Sequence, residues 1–151
     1  MSQAKKVFTR MCLNNWGGID HKVLEFHEYV NLFSGKSGSG KSTVMDAIQV
    51  ILYGSFSPSF LNKAADDAKN RRSVLSYLRG EQKDGSANRK DCDFCSVIAL
   101  EIEDTGTHII TCIGIAFEVR KSDSEIKKFV YFSHSGKMPE SEYLTEQGVC
   151  Y

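Results

Sequence analysis

The chain has 151 residues, about one domain's worth, enough to bury roughly 70% of its unfolded surface. It is 41% hydrophobic and 25% charged, and its 19 basic and 19 acidic residues cancel, which excludes a globally basic nucleic-acid wrapper but not a local basic patch. No apolar run approaches the roughly 18 residues of a membrane span, MSQAKKVFTR lacks the apolar stretch of a secretory leader, and five cysteines without an export signal read as reduced thiols of a cytoplasmic protein.

In chain order, Val7, Thr9, Met11 and Leu13 alternate with more polar neighbours, the period of a half-buried strand. Gly17 and Gly18 supply a turn, and residues 21–26 return as a second strand. The apolar run Val30 to Phe33, closed by Ser34 and Gly35, suits a buried central strand. From Lys41 to Tyr53 the period becomes helical, with Val44, Ala47, Ile48, Ile51 and Leu52 on one face and Gly54 at the C-terminus. A short helix is predicted over residues 73–79, ended by Gly80, and a polar loop over 80–93. The period then returns to two. Ser96, Ile98, Leu100 and Ile102 form one face of a strand, with Val97, Ala99, Glu101 and Glu103 on a half-exposed opposite face. A turn at 104–107, a strand over 108–120, a loop at 121–125 and a strand over 126–132 complete an antiparallel meander.

One motif carries chemistry. Gly35, Lys36, Ser37, Gly38, Ser39, Gly40, Lys41 and Ser42 match G-x-x-x-x-G-K-[ST] between an apolar run and a helix. Glycines let successive N–H groups turn toward phosphate oxygens, and the helix N-terminus adds free N–H groups and its positive dipole end. At this spacing Lys41 reaches the β- and γ-phosphates and the Ser42 hydroxyl ligates Mg²⁺. Hydrolysis also requires an acid on the metal and a group that positions water. Val97 to Leu100 followed by Glu101 superficially fits such a Walker B segment, but the alternation there favours a plain antiparallel strand. Cys92 and Cys95 form a lone C-x-x-C without the second pair that a structural zinc site needs, and His21, His27, His108 and His134 share no ligand spacing.

Residues 13–54, LNNWGGIDHKVLEFHEYVNLFSGKSGSGKSTVMDAIQVILYG, resemble the start of an SMC-type ATPase head, a family that includes condensin, cohesin, SbcC-like and MukB-like proteins. The carrying residues are the strand pair, the loop with Thr43 directly after it, and the run Val44, Met45, Asp46, Ala47, Ile48. Residues 62–80 resemble the MukB-like branch, nearest to the ATPase subunit of Wadjet-type anti-plasmid defence systems. Ser37 stands where the family usually has Asn, and Lys36 is an unusual neighbour.

The resemblance implies an α/β P-loop fold of the ABC/SMC type, a mixed sheet joined to the antiparallel meander, with residues 1–151 as the N-terminal lobe of the head. It implies ATP and Mg²⁺ as cofactors. It also implies that the signature motif, Walker B and catalytic glutamate come from a C-terminal lobe of the same head beyond a long coiled coil. The expected partners are that lobe, a second head in a homodimer, DNA and kleisin-like accessory subunits, with no membrane. The basic residues Lys69, Arg71, Arg72 and Arg79, extended by Lys83, Arg89 and Lys90, are either a solvated surface or, by the resemblance, contacts to DNA or ATP. The family's Gln-loop residue has no convincing counterpart among Gln49, Gln82 and Gln147. The alternatives are a free-standing small P-loop kinase or NTPase, and a nucleotide-sensing module without catalysis.

Overall fold

The computed structural model describes residues 3–34, 40–57, 61, 73–82 and 84–146, and the backbone of 148–149. Strand β1 (Lys6–Trp16) turns through Gly17 and Gly18 into β2 (Ile19–Glu25). Helices α1 (Lys41–Tyr53) and α2 (Val74–Arg79) follow, then the meander β3 (Phe94–Asp104), β4 (Ile110–Val119) and β5 (Lys128–Ser135). A two-residue ladder, β6 (Leu144–Thr145) with β7 (Gly148–Val149), ends the described chain. The sheet order is β2-β1-β3-β4-β5 and each of its pairings is antiparallel.

Both helices form where the apolar period predicts them. In α1, Val44, Ala47, Val50 and Ile51 face the sheet, while Leu52, expected on this face, is 48% exposed, and Gly54 closes the helix with its N–H on the Val50 carbonyl, 3.0 Å away. In α2 the Ser73 hydroxyl accepts from the Ser76 N–H at 3.1 Å, an N-cap that steadies a six-residue helix. These apolar faces meet Met11, Leu13, Ile98, Leu100, Ile115 and Phe117 in one core. The β3–β4 register places Ile98 opposite Ile115, so the predicted alternation in the meander is observed.

Three expectations are corrected. The run Val30 to Phe33 is not a central strand: β1 already has β2 on one side and β3 on the other, and no described strand edge takes the run. Val30 and Leu32 are instead 75% and 87% exposed, and the sheet is antiparallel rather than mixed. Next, a bulge between Phe8 and Arg10 breaks the alternation of β1. Phe8 thereby packs against the helix-side core with Met11 and Leu13, while the Thr9 hydroxyl turns to Glu101.

The third correction concerns the far face of β3, which is buried rather than half-exposed. Val97 and Ala99 are fully buried and Glu101 is 3% exposed. Residues 136–146 lie across this face, where Met138 and Tyr143 cover the small side chains Cys12, Ala99 and Cys112. Glu142 holds the covering segment down, its carbonyl accepting from Asn14 Nδ2 at 2.9 Å and from the Cys12 thiol at 3.5 Å. Burial pushes the Cys12 thiol up to about 12, and it also raises the Cys112 thiol. Cys92 is exposed. Alkylation of the native protein should therefore mark Cys92 first, and Cys12 and Cys112 only after unfolding. Peptide mass spectrometry that finds Cys12 modified as fast as Cys92 would contradict this packing.

Candidate nucleotide-binding site

The site is built on the N-terminus of α1. Residues 35–39, the first part of the predicted phosphate loop, lie outside the described residues, as do Lys69, Arg71, Arg72 and Lys83. Gly40 is the helix N-cap at φ 90°, a left-handed backbone that a side chain would strain, which explains glycine at this place in the motif. Among the described residues no side chain caps the helix, and its first turn holds no acid. Its leading N–H groups and positive dipole end therefore suit an anion. Lys41, half-buried, opens the helix, followed by the exposed Ser42 and the buried Thr43. The expected lysine and metal-ligating hydroxyl thus stand on adjacent residues of the first turn.

Behind this turn lies a set of buried contacts. The Trp16 indole Nε1–H donates to the Thr43 carbonyl at 2.9 Å, and its ring stacks on Tyr77 with centroids 5.0 Å apart. The Tyr77 hydroxyl donates to the Asp46 carboxylate. The Gly17 N–H donates to the Tyr77 carbonyl at 2.7 Å. Gly17 has φ 59°, and a Cβ there would stand 2.6 Å from Thr43 Cγ2, so the turn between β1 and β2 can approach α1 this closely only as glycine. Asp46 belongs to the run that carries the family resemblance, but nothing in the sequence signalled that Trp16 and Tyr77 would meet behind it.

The other predicted residues take different places. The Glu101 carboxylate accepts from the Thr9 hydroxyl and from the Met138 N–H, each at 2.7 Å, on the sheet face opposite α1. It bonds the covering segment to the sheet and does not approach the helix. Arg79 donates through Nη2 to the carbonyls of Asp123, Lys121 and Arg120 at 2.5, 3.3 and 3.4 Å, tying α2 to the β4–β5 connection.

Arg89 leaves the solvated basic cluster altogether, being 6% exposed. It donates to the Leu78 carbonyl at 2.8 Å, to the Gly17 carbonyl at 2.5 Å and to Asp20 at 3.0 Å. Burial lowers the pKa of its guanidinium, with Asp20 opposing. Arg89→Ala would leave two buried carbonyls without this donor and should cost about 2–4 kcal/mol. Urea denaturation is the measurement, and a loss below roughly 0.5 kcal/mol, the level of an ordinary surface substitution, would refute the clamp.

Among the described residues no group of three or more His, Cys, Asp or Glu side chains could hold a metal ion. His21 instead bridges Asn14 and Glu142, His108 meets Glu103 and His134 meets Tyr143.

Residues 8–68 match the family described as the P-loop containing region of AAA domain. The chain carries a P-loop nucleotide-binding region. The SbcC component of the nuclease SbcCD from Staphylococcus haemolyticus (strain JCSC1435) is 39% identical over 74 residues, which cover 46% of this chain and 6% of that protein. The chain therefore spans a small fraction of this relative's length. Among the described residues no helix is long and apolar enough to cross a membrane.

Proposed function

We propose that this chain is the N-terminal lobe of an SMC-like ATPase head, of SbcC- or MukB-like kind and nearest to the Wadjet-type anti-plasmid ATPases. In this reading residues 35–43 bind Mg-ATP, with Lys41 on the β- and γ-phosphates and the Ser42 hydroxyl on Mg²⁺. A C-terminal lobe completes the head, a second head closes over the nucleotide, and the pair engages DNA with kleisin-like subunits. The observation that carries this reading is the apolar stretch just before the motif. Tyr29, Val30 and Leu32 are 78%, 75% and 87% exposed, outside the sheet. Large apolar side chains exposed this close together in the chain suit a contact still to be made, in this reading with the C-terminal lobe. Similarity to the SbcCD nuclease component supports the choice of family.

Hydrogen exchange tests the idea. Amides of residues 29–33 should exchange quickly in this chain and become protected when the C-terminal lobe is supplied. Unchanged exchange in a complex of the two lobes would reject the docking.

The DNA reading concerns Lys69, Arg71, Arg72, Arg79 and Lys83, of which Arg79 also donates to three carbonyls. Lys69→Glu with Lys83→Glu should weaken duplex binding by the complete head. The slope of log affinity against log salt should fall by about 1 for each phosphate no longer neutralised. An unchanged slope would remove these residues from the interface.

A further inference from the structure

Tyr77 stands where β1, α1 and α2 meet. It is 1% exposed, and its neighbours Trp16 and Asp46 are 0% and 4% exposed. Its ring lies within 3° of parallel to the indole of Trp16. That indole donates to the Thr43 carbonyl, so the stack is tied to the first turn of α1. The Tyr77 hydroxyl is tied to the same helix about one turn later, on the Asp46 carboxylate. Two bonds on successive parts of α1 fix both its rotation and its position along its axis.

Packing alone does not call for this arrangement. Val44, Ala47, Val50 and Ile51 already anchor the apolar face of α1. A buried carboxylate costs desolvation free energy, and an apolar pair of similar volume commonly gives equal or greater stability. What the carboxylate–phenol bond adds is direction, because a charge-assisted hydrogen bond tolerates little displacement. The part of α1 held in this way carries Lys41 and Ser42. Phosphate recognition by free N–H groups and one ammonium depends on where that turn sits.

We infer that Tyr77 is a positioning residue for the nucleotide site: through its hydroxyl on Asp46 and its ring on Trp16 it sets where Lys41 and Ser42 stand against the phosphates. The inference rests on the nucleotide-binding reading of the P-loop. In this reading Tyr77 acts through α1.

The test is Mg-ATP calorimetry on the full chain. Tyr77→Phe keeps the stack on Trp16 and removes one oxygen. It should weaken binding about five- to tenfold, because the turn that carries Lys41 and Ser42 is then held less firmly in place. Asp46→Ala should weaken binding similarly, and the double variant should be no weaker than the poorer single one. Asp46→Asn retains an acceptor oxygen and should recover most of the affinity that Asp46→Ala loses. Trp16 is the single tryptophan in the chain, so its emission should change on adding Mg-ATP, and this change should shrink in Tyr77→Phe.

Failure of the wild-type chain to bind would overturn the nucleotide reading itself, and the positioning role with it. Wild-type binding with an equal affinity in folded Tyr77→Phe would overturn the positioning role alone. Should Tyr77→Phe not fold, the Asp46 pair decides: equal affinity of Asp46→Asn and Asp46→Ala overturns the role, and a gap in favour of Asn supports it.

Discussion

Lys41→Ala should weaken ATP binding at least about tenfold, on the order of 1.5–3 kcal/mol. Lys41 is the first residue of α1, beside the Gly40 cap. The N–H groups of the helix end supply fixed partial charges, but none supplies a full charge on a mobile stem. Without that ammonium a polyphosphate keeps the backbone N–H groups and the dipole contribution, roughly 0.3–1 kcal/mol at an exposed terminus, and loses a charge-assisted contact that no backbone group replaces. Stability should change little, because Lys41 is only half-buried and replacement by alanine favours helix. Calorimetry showing equal affinity in both proteins, each with a normal melt, would remove the P-loop assignment.

The legible parts of this molecule were those set by local period. Val44, Ala47 and Ile51 repeat at helical spacing and do lie on the buried face of α1. Ile98 and Leu100 alternate on β3 and face the same core. What could not be read depends on contacts distant in sequence. Thr9 continues a clean alternation with Met11 and Leu13, and only the register against β3 shows the bulge that turns it to Glu101. The polar look of Glu101 suggested solvent, but Met138, 37 residues further on, covers it and donates to its carboxylate. Arg89 sits in a loop of charged residues and reads as solvated. Its burial follows from the meeting of Gly17, Leu78 and Asp20, which come from a turn, a helix and a strand.

The same principle limits the site. The motif residues Gly40, Lys41 and Ser42 were identifiable because their chemistry is written in adjacent positions. The supports Trp16 and Tyr77 were not, because they come from β1 and α2 and share no pattern. Val30 to Phe33 illustrates the opposite error. An apolar run before a P-loop suits a central strand, yet a strand requires a partner, and in the described sheet neither free edge, that of β2 nor that of β5, pairs with this run.

This chain alone should bind ATP and hydrolyse it only at background rate. Phosphoryl transfer to water requires a carboxylate for the metal and a positioned nucleophile opposite the P-loop, which together lower the barrier by many kcal/mol. The described acids near the meander are badly placed for that work. Asp104 pairs across the sheet with Lys6, at the end of β1 opposite Trp16. Trp16 touches the start of α1, and an 11-residue strand spans roughly 33 Å. The Asp104 carboxylate is also occupied, accepting from the N–H groups of Gly106 and Thr107. Glu103 meets His108, and Glu101 lies on the far face under Met138. Asp46 is close to the site in sequence, but its carboxylate is turned into the core on Tyr77. A C-terminal lobe and an opposing head would supply the missing groups, so turnover should appear when they are added. A phosphate-release assay giving on the order of 1 per second from this chain alone, a rate ordinary for an enzyme, would refute the half-site reading. It would favour the free-standing P-loop kinase or NTPase, and would require an acid from residues 62–72 or a rearrangement that frees Asp46 from Tyr77.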